Sequence, residues 1–431
     1  MKRYGEYKDS GIEWIGEIPK EWNVSTLGKV ATISTGNTPS KNGSANYYDD
    51  EDGVLWIKPD NLNSFYPITK TKEFLNDEGI VLARIVPAFT PLVCCIGTIG
   101  KFGYSSKDSA YNQQINAVLF NENKVNWKYG LYTISLLEEP FWFYSNGNVV
   151  RILNTENQKR VSIVLPSISE QKNIVSYLDR KTSSIDALIA DKQKLVELLQ
   201  EKRATVISEA VTKGLDKTVK MKDSGIEWIG EIPINWDIRL VSHMATVIRG
   251  ASPRPAGDAR YFNGSAVHWI TVAEVTNGDE KYITDTESYL TEEGKSKSRF
   301  IKAGTLLLSN SGATLGVPKI TLIDGCINDG SVALLNLDIN QIYLYYALKC
   351  RTNELRKQMQ GYGQPNLNTT IIKNIAFPYP SKADQEAIVF YLDQKTAEID
   401  TLITDINEQI EKLKEYRQAV ISEVVTGKVA V

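Results

Sequence analysis

The segment Lys8-Asp-Ser-Gly-Ile-Glu-Trp-Ile-Gly-Glu-Ile-Pro19 recurs letter for letter at Lys222–Pro233, 214 residues later. At the same offset, 23 of 45 positions are identical between residues 168–212 and 382–426. Because twice this period accounts for nearly the whole chain, the sequence consists of two tandem copies. Each copy is too long for a solenoid unit, so the repeat predicts a duplicated module made of a domain and a helix. Further matches are Trp22 with Trp236, Gly36 with Gly250, Pro39 with Pro253, Leu153-Asn154-Thr155 with Leu367-Asn368-Thr369, and Pro166 with Pro380.

Length and composition set the class of protein. The chain has 431 residues, and 49 basic against 52 acidic side chains give a net charge of −3. At about 150 residues per domain, this length predicts two or three domains with real cores. A content of 42% hydrophobic and 23% charged residues excludes a fibrous or wholly disordered protein. The near-neutral charge excludes a polycation that coats nucleic acid, so any nucleic-acid binding has to be local and geometric.

Cysteine and histidine usage argues against catalysis and metal binding. The four cysteines contain no C-x-x-C pair, and only two histidines occur. This count indicates a reducing cytoplasm without a disulfide framework and excludes a multi-histidine metal centre. No phosphate loop, dinucleotide fingerprint or methyltransferase motif is complete, so we expect no catalytic residues. The most apolar stretch, residues 79–100, carries Arg84 and two prolines, and we expect a soluble cytoplasmic protein that does not enter the membrane.

Each copy ends in a long helix. The capping patterns Ser167–Glu170 and Ser381–Asp384 follow a proline, and Gly214 and Gly427 stop the helices. Apolar residues at three- and four-residue steps predict a coiled coil, most simply by antiparallel pairing of the two helices with each other. The alternative is that each helix packs only on its own domain. The predicted interface comprises Ile185, Leu188, Leu195, Leu199, Val206, Ile399, Leu402, Ile406, Ile410, Leu413 and Val420.

The middles of the two copies are predicted to be mixed α/β (α+β) domains. Short β-rich runs are punctuated by Gly, Pro and Asn, and one helix per copy follows, around residues 127–144 and 340–360. The expected architecture is therefore two tandem globular domains joined by the paired helices with pseudo-two-fold symmetry. The predicted boundaries are 1–167 and 215–380 for the globular domains, and 168–214 and 381–431 for the helical regions.

Polar, planar and basic residues cluster in the parts where the copies differ. This divergence fits either two copies that recognise different things or drift after duplication. Arg reads guanine and Asn or Gln reads adenine through paired hydrogen bonds, while Lys and Arg also contact phosphates. At the level of a single residue, a solvated loop is an equally good reading. The candidates for DNA contact are Lys41, Tyr144, Asn146, Asn148, Arg151, Arg254, Arg356, Lys357, Gln358, Gln360, Tyr362, Gln364 and Asn366.

The chain resembles the specificity subunit of type I restriction–modification enzymes over essentially its whole length. The matching features are the tandem copies, the Gly-x-x-Pro loops at Gly36 and Gly250, and the long helices that carry Gln171 and Gln385. No single one of these motifs is specific for the family. Their occurrence in the same order in both copies, at the same 214-residue offset, is specific.

The resemblance implies two target-recognition domains, each reading one half of a bipartite double-stranded DNA sequence. It also implies that the helices bind methyltransferase subunits carrying S-adenosylmethionine, joined by restriction/translocase subunits that use ATP and Mg²⁺. This chain itself would hold no cofactor and no metal. Two rival functions are a tandem DNA-binding regulator without restriction partners and a protein scaffold.

A domain exchange tests the modular organisation. Replacing residues 24–165 by the corresponding domain of another family member should change one half-site only, because each copy carries its own domain. The measurement is the methylated motif produced by the chimaera. A change in both halves of the motif would refute modularity.

Overall fold

The computed structural model describes residues 3–39, 47–49, 52–147, 149–312, 314–358 and 366–431. The chain divides into two compact units. The first unit contains residues 1–192 and 408–431, and the second contains residues 193–407. Each unit therefore combines one globular domain with segments of both long helices. Within the described residues, no helix is long and apolar enough to cross a membrane.

The first unit is a mixed α/β structure. Its helices are α1 (Leu27–Val30), α2 (Asp77–Leu82), α3 (Trp127–Ile134), α4 (Glu138–Tyr144), α5 (Thr155–Lys159) and the first part of α6 (Ile168–Lys213), with a 3₁₀ turn at Pro59–Asn61. Its strands are β1 (Tyr7–Asp9), β2 (Glu17–Pro19), β3 (Asn23–Thr26), β4 (Ala31–Thr35), β5 (Tyr48–Asp49), β6 (Val54–Ile57), β7 (Pro67–Ile68), β8 (Phe74–Leu75), β9 (Ile85–Val86), β10 (Leu92–Cys94), β11 (Phe102–Ser105), β12 (Ser109–Tyr111), β13 (Ile115–Phe120) and β14 (Ser162–Leu165).

Two five-stranded sheets form the body of this domain. Their strand orders are β4-β13-β10-β11-β7 and β5-β8-β6-β12-β9. Most pairs are antiparallel, but β11 with β7 and β12 with β6 are parallel. The repeated peptide forms the antiparallel pair β1–β2, and β14 pairs with β3. The sheets are mixed, as expected for the α+β class.

The second unit repeats this organisation. Its helices are α7 (Val241–Met244), α8 (Val272–Thr276), α9 (Glu292–Ser296), α10 (Gln341–Gln358), α11 (Thr369–Lys373) and the first part of α12 (Lys382–Val425). Its strands are β15 (Met221–Asp223), β16 (Glu231–Pro233), β17 (Asp237–Leu240), β18 (Thr246–Arg249), β19 (Phe262–Ile270), β20 (Tyr282–Ile283), β21 (Tyr289–Leu290), β22 (Arg299–Ile301), β23 (Leu306–Ser309), β24 (Pro318–Thr321), β25 (Gly325–Ile327), β26 (Ser331–Leu335) and β27 (Ala376–Tyr379). The main sheet has the order β18-β26-β23-β24-β20, the counterpart of the first one.

The helix expected around residues 127–144 is in fact two helices, α3 and α4. Helix α3 ends at Ile134, and the Ser135 hydroxyl donates to the Tyr132 carbonyl (2.7 Å). Pro140 sits in the first turn of α4, where a residue without an N–H is tolerated because that group would have no intrahelical partner. The counterpart α10 continues without a break to Gln358.

Both long helices begin and end as the sequence predicts. The hydroxyls of Ser167 and Ser381 accept the N–H groups three residues later, each at 3.2 Å. Gly214 and Gly427 follow the helices with φ of +72° and +75°, the left-handed conformation of a helix stop. In the first unit Gly427 packs against Pro19 and Trp22 of the repeated segment, and in the second unit Gly214 packs against Pro233 and Trp236.

The antiparallel pairing of the helices is confirmed within each unit. In the first unit Asp186 and Lys192 of α6 bind Arg417 and Gln409 of α12, so the two helices run in opposite directions. In the second unit Arg203 of α6 forms two hydrogen bonds with Asp400 of α12, at 2.8 and 3.2 Å. Asp186 and Asp400 are equivalent positions of the two copies, as are Arg203 and Arg417. The same ion pair is therefore made twice with the helices exchanged.

The buried seam of the helices follows a strict heptad, but its register differs from the prediction at three places. Leu188, Leu195 and Leu402 are 45%, 45% and 50% exposed, so the prediction that they line the interface is wrong. In each case the next residue, Ile189, Val196 or Ile403, is the less exposed one. Of the other predicted positions, Ile185, Ile399, Ile406, Ile410 and Val420 are buried, and Leu199, Val206 and Leu413 are half-buried.

The last turns of each long helix complete a core made by the other copy. Val420, Val424 and Val425 of α12 belong to the hydrophobic core of the first unit, beside Trp22. Ile207 and Val211 of α6 belong to the core of the second unit. This packing excludes the alternative that each helix packs only on its own domain.

Two substitutions on α12 test the register. Ile399→Ala should lower the free energy of unfolding by about 2–4 kcal/mol, because Ile399 is only 6% exposed and its removal leaves a cavity. Leu402→Ala should cost less than about 1 kcal/mol, because half of that side chain already faces solvent. Urea unfolding of the purified chain, followed by circular dichroism, measures both. Equal costs would show that the seam is misplaced.

Candidate nucleic-acid interface

In the first unit, several loops that follow strands or helices converge at one end of the domain. The Asn37 N–H donates to the Tyr111 carbonyl (3.2 Å), and the Cys95 N–H donates to the Gln114 carbonyl (2.8 Å). The Leu153 N–H donates to the Cys95 carbonyl (2.9 Å). These backbone bonds join segments that lie far apart in sequence. We call this surface the loop end of the first unit, formed by residues 36–39, 95–98, 112–114 and 144–153 without residue 148.

The second unit forms the equivalent loop end from residues 250–254, 310–312, 328–330 and 366–368. The Ala251 N–H donates to the Ile327 carbonyl (3.0 Å), and the Leu367 N–H donates to the Asn310 carbonyl (2.7 Å). Asn366 forms an isolated bridge with Ser311. The Gly-x-x-Pro loop and the segment after the long middle helix, both singled out in the sequence, are therefore brought together in each unit.

The two loop ends rest on different interiors. In the first unit the buried Asn116 side chain donates to the Leu153 carbonyl (3.0 Å) and to Gln158 Oε1 (2.7 Å), and it accepts from the Thr35 hydroxyl (2.8 Å). The equivalent positions in the second unit are the buried Val332 and Ile372. The same scaffold is thus held by a polar network in one copy and by apolar packing in the other.

A second difference lies directly beneath the loops. In the second unit the side chains of Asn310, Asn328 and Ser331 carry buried polar atoms that have no hydrogen-bond partner among the described residues. The equivalents of Asn310 and Ser331 in the first unit are the buried Cys95 and Ile115. Unpaired buried polar groups cost free energy, and Gln158 Nε2 under the first loop end is another such atom. Among the described residues, the interior directly beneath the second loop end is thus the more polar at these positions.

Two of the candidate arginines, Arg151 and Arg356, donate to backbone carbonyls of their own unit. Arg151 lies 3.7 Å from the centre of the Trp142 ring and donates to the carbonyl of Trp142 (3.1 Å) and the hydroxyl of Ser145 (3.3 Å). Arg356 donates to the Leu315 carbonyl (3.1 Å). Both guanidinium groups therefore hold loops in place, and this role accounts for their contacts without any bound DNA.

The other described candidates lie at the loop ends. Asn146 and Asn366 are exposed, and the side chain of Arg254 is 71% exposed. Tyr144 is half-buried, and its ring meets Phe143 edge-on. Lys41, Asn148, Gln360, Tyr362 and Gln364 lie outside the described residues, and the side chains of Lys357 and Gln358 are also outside them.

Sequence reasoning missed several residues of these surfaces. Gln113 accepts a short hydrogen bond from the Thr38 hydroxyl, and Asp329 occupies the corresponding turn of the second unit. Val149 is an exposed apolar side chain on the loop end of the first unit, and Phe143 is another in the helix turn just before it. Gln113 and Asp329 each come directly after an asparagine, Asn112 or Asn328, that begins the matching turn. This shared asparagine is the one signal from which an alignment of the two copies could have found them.

The described residues give no arrangement suited to catalysis. His268 contacts the Thr286 hydroxyl through Nδ1 (3.0 Å), and its ring packs on Tyr289. Cys94, Cys95 and Cys326 are buried, and burial raises the pKa of the Cys95 thiol to about 12, so it is not a thiolate at neutral pH. No group of three or more potential ligands for a metal ion occurs in the part of the chain that the structure describes.

Two copies of one scaffold with different side chains at the same loops define a modular recognition protein. The sequence model of the type I restriction modification DNA specificity domain matches residues 19–198 and 233–412, at the 214-residue period of the repeat. The chain belongs to this family. It is a DNA sequence-specificity subunit, the non-catalytic component of a type I restriction–modification system.

Individual relatives agree with this assignment. The type I restriction enzyme MjaVIII specificity subunit of Methanocaldococcus jannaschii is 23% identical, over 96% of this chain and 94% of its own length. The HindI specificity subunit of Haemophilus influenzae is 30% identical over 44% of this chain and 40% of its own. The fold is that of the HsdS subunit from Thermoanaerobacter tengcongensis, with a TM-score of 0.51, 17% identity and coverage of 96% and 98% of the two chains. A chain from a type I R-M complex gives a TM-score of 0.72, with 17% identity and coverage of 96% and 99%.

Replacing the polar pair under the first loop end by the apolar pair of the second unit tests whether the two positions are equivalent. Asn116→Val should destabilise the chain by about 1–3 kcal/mol, because it leaves the buried Gln158 amide without its partner. Adding Gln158→Ile should recover most of this loss, because the pair then copies Val332 and Ile372. Thermal unfolding of the two variants measures the difference. A double variant less stable than the single one would contradict the proposed equivalence.

Proposed function

We propose that each unit reads one half of a bipartite double-stranded DNA target and that the chain directs partner subunits to that sequence. The observation that carries this proposal is the pair of loop ends, built on one scaffold with different side chains at equivalent positions. Thr38 and Gln113 meet at one of them, and Ser252, Arg254 and Asp329 meet at the equivalent place of the other. Base edges in the major groove differ in their donors and acceptors, so different side chains select different half-sites.

The partners proposed for the chain are methyltransferase subunits and restriction/translocase subunits. The methyltransferases would bring S-adenosylmethionine and modify adenine, and the translocases would use ATP and Mg²⁺. No cofactor is assigned to this chain, and its place of action would be the cytoplasm. The near-neutral net charge supports shared DNA binding, because partners would supply much of the phosphate neutralisation.

The outer faces of the long helices support an assembly role. Leu188 of the first unit, and Leu195 and Leu402 of the second, are about half exposed outside the seam. Phe390 on α12 is 67% exposed and lies in a shallow groove with Val389 and Ala397. Contiguous exposed apolar surfaces are typical of protein contact sites, so the groove around Phe390 suits a methyltransferase subunit.

Single-molecule methylation sequencing of the native host, with and without this gene, tests the function. Deletion should remove one bipartite adenine-methylated motif, and the intact gene supplied in trans should restore it. The motif would reveal both half-sites together. Retention of every motif in a strain whose chain co-purifies with a methyltransferase would contradict the proposal.

A further inference from the structure

Four side chains form a hydrogen-bonded cluster at the loop end of the second unit. The Ser252 hydroxyl donates to Asp329 Oδ1 (2.6 Å), and Arg254 Nη2 donates to Asp329 Oδ2 (3.4 Å). Arg249 Nε donates to the Asp329 carbonyl (3.0 Å). Asp329 is therefore held at both carboxylate oxygens and at its backbone. Its carboxylate contacts the Arg254 guanidinium and so favours one direction of that side chain.

Arg254 keeps most of its hydrogen-bonding capacity for another partner. Its guanidinium has five N–H donors, and one nitrogen faces Asp329. The side chain is 71% exposed, and no other hydrogen bond of this guanidinium is formed to the described residues. A fixed, planar fork of donors matches two parallel acceptors, which guanine presents in the major groove as O6 and N7.

The carboxylate beside Arg254 favours a base edge over a phosphate as that partner. The hydrogen bond from Ser252 lowers the pKa of Asp329, so this group is ionised at neutral pH. A negative charge next to the guanidinium repels a phosphate and reduces the gain from contacting one. Its effect on a base edge is smaller, because the O6 and N7 acceptors of guanine carry only partial charges and orientation of the fork contributes to the fit.

The first unit fills the same place with different chemistry. Thr38 and Gln113 correspond to Ser252 and Asp329, and they retain the hydroxyl-to-side-chain hydrogen bond. Gln113 is a neutral amide and carries no charge that could orient an arginine. The position is therefore one at which the two copies share geometry and differ in recognition chemistry.

We propose that Arg254 reads a guanine in the half-site of the second unit and that Asp329 is its positioning residue. This inference rests on the proposed function, because it presupposes that the second unit contacts DNA bases. It adds a specific base and two specific residues to that function.

The test compares Arg254→Ala and Arg254→Lys in the full chain, expressed in the native host in place of the natural gene. Methylation sequencing then reports the motif. Arg254→Ala should relax one guanine position in one half-site by about five- to hundred-fold, and the other half should not change. Arg254→Lys should relax the same position, because it keeps the charge and loses the planar fork.

Asp329→Asn provides the positioning test. It keeps the shape of the side chain and removes the charge that orients Arg254, so the same guanine position should relax to a smaller extent. The matched control is Lys302→Ala, which breaks the exposed ion pair of Lys302 with Asp324. Lys302 and Asp324 precede β23 and β25, whereas the loops of the loop end follow these strands, so the ion pair lies at the opposite ends of the strands. The methylated motif should therefore be unchanged in this control variant.

The outcomes separate the inference from the function. If deletion of the gene leaves all methylation intact, the proposed function fails. If the parent motif depends on the gene but Arg254→Lys methylates it unaltered, Arg254 is a phosphate contact or a structural residue and the inference is overturned. Equal loss of methylation at all sites with both Arg254 variants, in complexes that still assemble, would overturn it as well.

Discussion

The fold depends on the packing of each long helix into the core that the other copy begins. Val420, Val424 and Val425 of α12 fill the core of the first unit, and Ile207 and Val211 of α6 fill the core of the second. Burial of large aliphatic side chains is the main favourable term in folding, so neither globular domain has a complete core without a helix from the opposite copy. The exchanged Arg–Asp pairs add direction to this packing, because they form only when the helices run antiparallel.

The two copies show how much a shared scaffold can vary in its interior. Asn116 and Gln158 hold the first loop end through hydrogen bonds, while Val332 and Ile372 hold the second by packing. A paired polar network and an apolar pair of similar size can be nearly equal in stability, whereas a mixture of the two leaves buried groups unsatisfied. The pair therefore has to change together.

The two-copy organisation, the mixed α/β class and the ends of the long helices were predictable, because the repeat, the caps and the helical periodicity are visible in the sequence itself. The helix register was not, since Leu188–Ile189, Leu195–Val196 and Leu402–Ile403 each offer two adjacent apolar residues and only packing selects between them. The sheet order also could not be derived, because it depends on contacts between distant strands. At the candidate site, the sequence singled out loops that the structure brings together in each unit, and their contact with DNA stays a prediction. The sequence could not tell that Arg151 and Arg356 turn toward backbone carbonyls, or that Asp329 orients Arg254.

The identical peptides at residues 8–19 and 222–233 have a consequence for how this protein can change. In each unit the repeated segment packs on the glycine that ends a long helix, and a Cβ on Gly427 would lie 2.3 Å from Pro19 Cδ. A gene fragment that encodes a different globular domain between these identical peptides would therefore keep the packing contacts with the helix ends on both sides. The repeated peptides are the same in both copies, whereas the residues of the loop ends differ. New target sequences could be acquired by recombination in a single step, whereas a change at Gly427 would need a matching change at Pro19, 408 residues earlier in the chain.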